Sequence, residues 1–311
     1  MLLASPFQPV SPQELKISNL FVTTVIIAFI IFCLVTGILI YCTLRFRARG
    51  DQDEPHQQFG IEKLELAWTA APALLLVGLY IYTVITVNAA QPVATGNYHN
   101  DLVIVGHQWW WEIQYPGANV VTANKIHLQV GKRYLVALQS ADVIHDVWIP
   151  ELGGKMDNVP GQTNHMWLEA DKPGTYLGQC AEYCGTEHAW MLLRAIAQPK
   201  AQYEAWLHDQ QQKAATPAGG PAARGAQLFS QLSCASCHAI FGTPYHQRIG
   251  PDLTHVGSRQ TLAAGRLMNT VAGMSEWLTD PQVYKPGTLM PDAQLSPTEV
   301  KELTAYLESL K

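Results

Sequence analysis

Two long stretches without a charged side chain govern what this chain can fold into. Ile17–Leu44 runs for 28 residues and Leu66–Ala90 for 25, and neither contains Asp, Glu, Lys or Arg. About 20 apolar residues in a helix cross the hydrocarbon core of a bilayer, so each run is long enough to span one. Helices buried in globular domains seldom run this long without charge. The pair therefore reads as a transmembrane hairpin, with spans at about 18–44 and 66–89. A cleaved signal peptide fits the first run poorly, because the run is too long for an h-region and polar residues and Glu14 precede it. Charged residues make up only 14% of the 311, which is low for a wholly soluble chain. The net charge of -5 argues against nucleic acid as a partner.

The segment after the first run begins Arg45-Phe46-Arg47-Ala48-Arg49. Basic residues beside a span favour the cytoplasmic face. That orientation puts the N-terminus and everything after Ala90 on the outer side, in a periplasm or its equivalent. Glu62, Lys63, Glu65 and Trp68 open the second span, where interfacial anchors sit.

From about Leu102 to Ala197 the sequence changes to short apolar or alternating segments, such as 101–105, 134–138, 166–168 and 191–196. Pro116-Gly117, Gly153-Gly154, Pro160-Gly161 and Pro173-Gly174 punctuate them. Short strands with regular turn signals predict a β-sandwich or barrel, and Cys and His near its C-terminal loop suggest a cupredoxin-like one.

Of the six cysteines, Cys33 and Cys42 lie in the first apolar run, where a small soft side chain is unremarkable. The other four form two close pairs. The first pair lies in Cys180-Ala-Glu182-Tyr-Cys184-Gly-Thr-Glu-His188-Ala-Trp-Met191. Thiolate, imidazole and thioether are the soft donors that select copper. Zinc would have no need of the methionine. A mononuclear blue-copper centre needs one cysteine, whereas two thiolates can bridge two ions. A disulfide between Cys180 and Cys184 is tolerated outside the cell, but it leaves His188 and Met191 unexplained. Further histidines lie upstream, and residue chemistry alone does not choose among His107, His127, His145 and His165. Gly106-His107-Gln108-Trp109-Trp110-Trp111 places three tryptophans in a row in a predicted strand. Side chains alternate along a strand, so at least one must reach the other face or an interface.

Residues 208–225 are rich in Gln, Ala, Gly and Pro, which predicts a flexible linker. A further domain begins near Ala222 and carries Cys234-Ala-Ser-Cys237-His238, the attachment signature of c-type heme. The two cysteines form thioethers and the adjacent histidine ligates iron. No second cysteine pair follows to complete a zinc site. The sixth ligand should be a Met or a His. Lys285-Pro-Gly-Thr-Leu-Met290-Pro291 resembles the loop of small class I cytochromes c, where a methionine is followed by proline, and this points to Met290; Met268 and Met274 lie in a stretch that reads as a core helix. Ser296-Pro-Thr-Glu299 is a capping box, and Val300, Leu303, Leu307 and Leu310 form one apolar face of the helix it starts.

Together these segments resemble subunit II of cytochrome c oxidase with a cytochrome c domain joined at its C-terminus, the caa type of heme–copper oxidase. The resemblance covers nearly the whole chain. It implies a dinuclear copper centre, CuA, held by His145, Cys180, the Glu182 carbonyl, Cys184, His188 and Met191. It selects His145 through the pattern Ser140-Ala-Asp-Val-Ile-His145-Asp-Val-Trp-Ile-Pro150. It implies one heme c, bound covalently by Cys234 and Cys237 and axially by His238 and Met290, with Ile249-Gly250-Pro251-Asp252-Leu253 as heme wall. In the family the first tryptophan of the run, here Trp109, passes electrons into CuA. The Glu182 side chain is expected to reach a Mg2+ shared with subunit I, and Glu65 to sit at the mouth of a proton path.

The implied architecture has three parts: a two-helix transmembrane hairpin in residues 1–90, a cupredoxin-like β-sandwich in 91–200, and an all-α class I cytochrome c domain in 222–311. A helix and linker occupy 201–221. The implied function is to pass electrons from cytochrome c through CuA to subunit I, where O2 is reduced to water with proton translocation. The spans hold no histidine cluster for a catalytic heme, so subunit I is a required partner, and subunit III is expected with it. The expected location is a bacterial inner membrane, with a soluble cytochrome as donor. The rivals are a CuA-containing nitric oxide reductase subunit and a stand-alone membrane electron carrier. Copper ligands that are all present argue against a quinol oxidase subunit.

Overall fold

The computed structural model describes residues 5–47, 50, 57, 60–91 and 99–311. Ala48 and Arg49, part of the basic cluster used to orient the hairpin, lie outside these residues. The chain divides into a hairpin, Leu15–Gln91, and an extramembrane unit made of the residues before it and after it.

The hairpin consists of helix α1, Pro12–Arg45, and helix α2, Glu62–Ala90. Apolar side chains on every face of both helices are exposed, among them Phe29, Phe32, Leu39, Leu66, Leu74 and Tyr80. A helix that is apolar all round is stable in lipid and not in water. Helix α1 begins before the uncharged run because Ser11 caps it: the Glu14 amide donates to Ser11 Oγ at 3.0 Å. The Ser11 hydroxyl also donates to the Leu152 carbonyl at 2.6 Å, which ties the residues before the hairpin to the β-domain. The Val10 amide donates to the Glu151 carbonyl and the Val10 carbonyl accepts from the Asp171 amide.

The extramembrane unit holds a β-sandwich and a helical domain. The strands are β1 Leu102–His107, β2 Trp110–Tyr115, β3 Val120–Ala123, β4 Lys125–Gln129, β5 Tyr134–Ser140, β6 His145–Trp148, β7 Met156–Asn158, β8 Asn164–Leu168, β9 Gly174–Cys180 and β10 Leu192–Gln198. They form two five-stranded sheets, ordered β3-β2-β1-β5-β8 and β4-β10-β9-β6-β7. The sheets close on one apolar core that includes Leu102, Ile104, Trp111, Ile126, Leu138, Val147 and Leu193. Strands β9 and β10 pair antiparallel, with Gln179 opposite Leu192, so the chain between them forms a loop at one end of the second sheet.

Helix α3, Lys200–Gln210, packs on this sandwich through Tyr203 and Trp206. The Trp206 ring stacks on His127 with centroids 3.8 Å apart. The segment after it, expected to be flexible, is fastened in its first half. The Gln212 carbonyl faces His255 Nε2 at 3.1 Å. The Ala214 amide donates to the Phe241 carbonyl at 2.9 Å. Its polar backbone groups find partners on the following domain, which composition does not reveal.

That domain contains helices α4 Gly220–Gln231, α5 Val271–Thr279, α6 Pro281–Tyr284 and α7 Pro297–Ser309 around a second apolar core. The predicted capping box is present with both of its hydrogen bonds, and Val300, Leu303, Leu307 and Leu310 are buried. Helix α7 closes against α4, where Gly225 lies so near the Glu302 carbonyl that a Cβ would collide with it. Met274 is in the core as expected, whereas Met268 is 63% exposed. Met268 lies in a two-residue strand before α5 rather than in a helix, because Thr270 caps α5 only after it.

Candidate metal centre and heme site

Two pieces of chain meet at the end of the second sheet. His145 opens β6, Cys180 closes β9, and Val147 and Cys180 are paired across the two strands. The loop from Cys180 to Met191 is pinned at its base, where the Cys180 amide donates to the Met191 carbonyl at 3.0 Å. This closure converts five loop positions into one cluster. Cys180 Sγ and Cys184 Sγ are 3.7 Å apart. His145 Nδ1 is 3.9 Å from Cys180 Sγ, and His188 Nδ1 is 3.6 Å from Cys184 Sγ. Met191 Sδ lies 3.9 Å from Cys184 Sγ, and the Glu182 carbonyl 3.2 Å from Cys180 Sγ. Two central sulfurs, each flanked by one imidazole and one weaker donor, are a donor set for two soft ions. The hydrogen bond between the sulfurs pulls Cys180 below the usual thiol range and pushes Cys184 above it.

Of the four competing histidines, only His145 joins the donor cluster among the described residues. The His127 ring faces Gln198 Oε1 at 2.8 Å and stacks on Trp206. The His107 ring stacks on Trp110 with centroids 4.2 Å apart. Burial pushes both rings down to about 4 and keeps them neutral. His165 lies on β8, opposite Ala137 of β5 in the first sheet.

Sequence reading missed the residues that aim these donors. Asp142 Oδ1 lies 2.8 Å from His145 Nε2, which turns Nδ1 toward the sulfurs. Its other oxygen accepts from the Gln108 amide at 2.7 Å. The His145 ring rests on Gly106, where a Cβ would come within 2.6 Å of Cδ2. A carboxylate three residues before a candidate histidine was the available signal. Asp142→Asn keeps the size and loses the anionic acceptor. Copper affinity, titrated through copper–thiolate absorption, should fall about 10–100-fold, as for other residues that orient a ligand; affinity equal to the parent's would remove Asp142 from this role.

Of the three tryptophans expected in one strand, only Trp110 and Trp111 lie on a strand, β2, and Trp109 falls in the turn before it. Trp111 is fully buried in the core, Trp110 lies against His107 and is 8% exposed, and Trp109 sits in the turn between β1 and β2 at 7%. Trp109 Nε1 donates to the Cys184 carbonyl at 2.9 Å, and Gln108 Nε2 donates to the same oxygen at 2.7 Å. Trp109 therefore touches the backbone of a candidate copper ligand. Gly185 makes room for the indole, since a Cβ there would meet Cζ2 at 2.9 Å. The Glu182 side chain is exposed, and so is Glu65 in the first turn of α2.

In the helical domain Cys234 and Cys237 are separate thiols on a single turn. His238 Nδ1 faces the Pro251 carbonyl at 2.7 Å, which commits that nitrogen and leaves Nε2 free. Gly250 is the floor under the ring, since a Cβ would reach Cε1 at 2.5 Å. Met290 is packed, partly buried, against the same apolar core. Gln282 holds its loop: Nε2 donates to the Thr288 and Met290 carbonyls at 2.9 and 2.8 Å, and Oε1 accepts from the Gly287 amide at 2.9 Å. Two thiols, a ring nitrogen fixed from behind and a thioether beside an apolar core fit a covalently bound heme.

The family described as cytochrome C oxidase subunit II, transmembrane domain, matches residues 4–85. Its periplasmic domain matches 118–197, and the cytochrome c family matches 222–311. Cytochrome c oxidase subunit 2 of Alkalihalophilus pseudofirmus is 35% identical over 309 residues, covering 97% of this chain and 90% of the relative. The same subunit of Bacillus sp. strain PS3 is 32% identical over 283 residues, covering 85% and 79%. Among solved structures, the periplasmic domain of subunit II of the Bradyrhizobium japonicum oxidase is 27% identical, with a TM-score of 0.36, over 37% of this chain and 96% of that domain.

Proposed function

Because this chain belongs to the cytochrome c oxidase subunit II family and carries its own cytochrome c domain, we propose that its two donor clusters are the CuA and heme c sites of that oxidase. It is a membrane-anchored subunit of a heme–copper oxidase and works with subunit I, which holds the oxygen-reducing site. The two bound groups supply reversible one-electron carriage. The chain's own residues hold them still and dry. The observation that carries the reading is the cluster itself: two sulfurs 3.7 Å apart, each within 4 Å of its own imidazole.

In this reading His145, Cys180, the Glu182 carbonyl, Cys184, His188 and Met191 hold the copper pair. Cys234 and Cys237 bind the heme covalently, with His238 and Met290 as axial ligands. Asp142 and Pro251 keep His145 and His238 in the ligating orientation. Trp109 passes electrons in, supported by its hydrogen bond to the Cys184 carbonyl. The exposed Glu182 carboxylate is available to a Mg2+ at the subunit I surface, a hard ion that oxygen donors suit. Glu65 is assigned to the cytoplasmic mouth of a proton path, and subunit III to the assembly. The domains are placed at 1–90, 91–200 and 222–311, joined by 201–221.

The N-terminus, the CuA domain and the heme domain are assigned to the outer side. The bonds from Val10 and Ser11 to the β-domain support a common side for them, as two spans require. From Ala89 to Pro221 the sequence has 8 Lys+Arg against 12 Asp+Glu, and from Ala222 onward 7 against 7. The first stretch carries four more acidic than basic groups and the second is balanced, too little for charge steering to dominate, so the encounter of the two domains is assigned to tethering.

Purification from membranes should bring down a polytopic heme-bearing chain, and the complex should consume oxygen with reduced cytochrome c. A chain that purifies alone would end the subunit reading. Consumption of nitric oxide in place of oxygen would move it to the reductase class.

A further inference from the structure

One lysine of the heme domain is buried in the β-domain. Lys285 is 3% exposed, and its ammonium donates to the backbone carbonyl of Trp109. Lysine normally keeps its ammonium in water, and burying it is costly without partners. Burial pulls its pKa down to about 8, while the nearby Glu187 carboxylate counters that, so it remains a cation at neutral pH.

Lys285 does not act in isolation. Its loop continues to Gly287, where a Cβ would lie 3.7 Å from Trp109 Cη2, and then to Met290. The Gln282 side chain bonds to Gly287, Thr288 and Met290, so the loop between Lys285 and Met290 is braced from within. Around it, the Arg266 guanidinium lies 3.8 Å over the Trp190 ring. Arg194 Nη1 donates to Thr261 Oγ1 at 3.0 Å.

We propose that Lys285 is the positioning residue that latches the heme-bearing domain onto the β-domain, seating the Met290 loop over Trp109. The hydrogen bond of the latch goes to backbone, with the Glu187 carboxylate nearby as counter-charge. It grips a carbonyl beside the indole, so the register of the loop on Trp109 is fixed by backbone geometry. A consequence rests on the reading of Trp109 given above. While latched, the tethered domain covers Trp109, so a soluble donor must deliver its electron to the tethered domain and not directly to the β-domain.

The test uses the full chain in its complex with subunit I. Lys285→Met keeps length and removes the charged donor. The docked-to-undocked ratio should fall about tenfold to a hundredfold, the effect of losing one charge-assisted hydrogen bond. Hydrogen exchange in the Gln108–Trp109 turn and the Cys184–Trp190 loop should rise by that factor. The heme potential and the melting of the heme domain should match the parent's. Heme-to-copper electron transfer after flash reduction should slow with the docked fraction. Parent-like exchange overturns the latch whatever the rate. Raised exchange with an unchanged rate leaves the latch standing and overturns Trp109 as the route. Should Met at position 285 disturb the melting of the heme domain, Lys285→Gln gives the same two readings.

Discussion

Cys184→Ser abolishes the EPR signal of an electron shared between two coppers and reduces oxygen uptake with reduced cytochrome c to background. Cys184 Sγ sits between three other donors of the cluster, with Cys180 Sγ, His188 Nδ1 and Met191 Sδ all within 3.9 Å. Serine has nearly the same shape, so the loop keeps its fold and Trp109 keeps its hydrogen bond to the residue's carbonyl. A serine hydroxyl stays protonated at neutral pH and is a hard donor, unsuited to bridging soft ions. The heme spectrum is the internal control and should not change. A shared-electron signal that persists in the variant would remove Cys184 from the copper site and with it the dinuclear reading.

Gly225→Val unfolds or severely loosens the heme domain. Helices α4 and α7 cross at this glycine, and the atom that a side chain would strike is the Glu302 carbonyl, part of the α7 backbone. A flexible side chain could turn away, but a helix backbone has no alternative position. Beside this crossing, the Arg224 side chain donates to the Glu302 carboxylate, so α7 is held against α4 from the surface too. Overpacking of a core costs about 1–3 kcal/mol, and a backbone clash belongs at the upper end. For a domain of this size about 3 kcal/mol lowers Tm by roughly 12–24 °C. Melting followed by heme absorbance reads this directly, and a Tm within a few degrees of the parent's would show that the crossing can open. Strands β1–β10 should melt as before, because their core does not include Phe229, Tyr306 or the other residues of the heme-domain core.

Much of the site was legible in the chain because its signals are local. A loop that carries Cys180, Cys184, His188 and Met191 needs only a closed hairpin base to bring its donors together, and β9 and β10 supply that base. The heme attachment sequence is shorter still. The helix start at Ser296 was visible because a capping box is built from residues three apart. His145 was not separable from His107, His127 and His165 on residue chemistry alone. What separates them is the pairing of β6 with β9, a contact between residues 35 apart in sequence.

The sequence by itself determined the two spans, the strand-rich middle, the soft residues of the 180–191 loop and the Cys-x-x-Cys-His motif, since each is an unbroken run, a short period or a spacing within a dozen residues. Tertiary structure alone decided the rest. It tied Ser11 to Leu152, put Asp142 behind His145, and set α4 against α7 at a glycine. It also buried Lys285 against Trp109, joining residues 176 positions apart. No pattern in composition or periodicity encodes such a contact, because it arises only when two separately folded cores present complementary backbone and charge to one another.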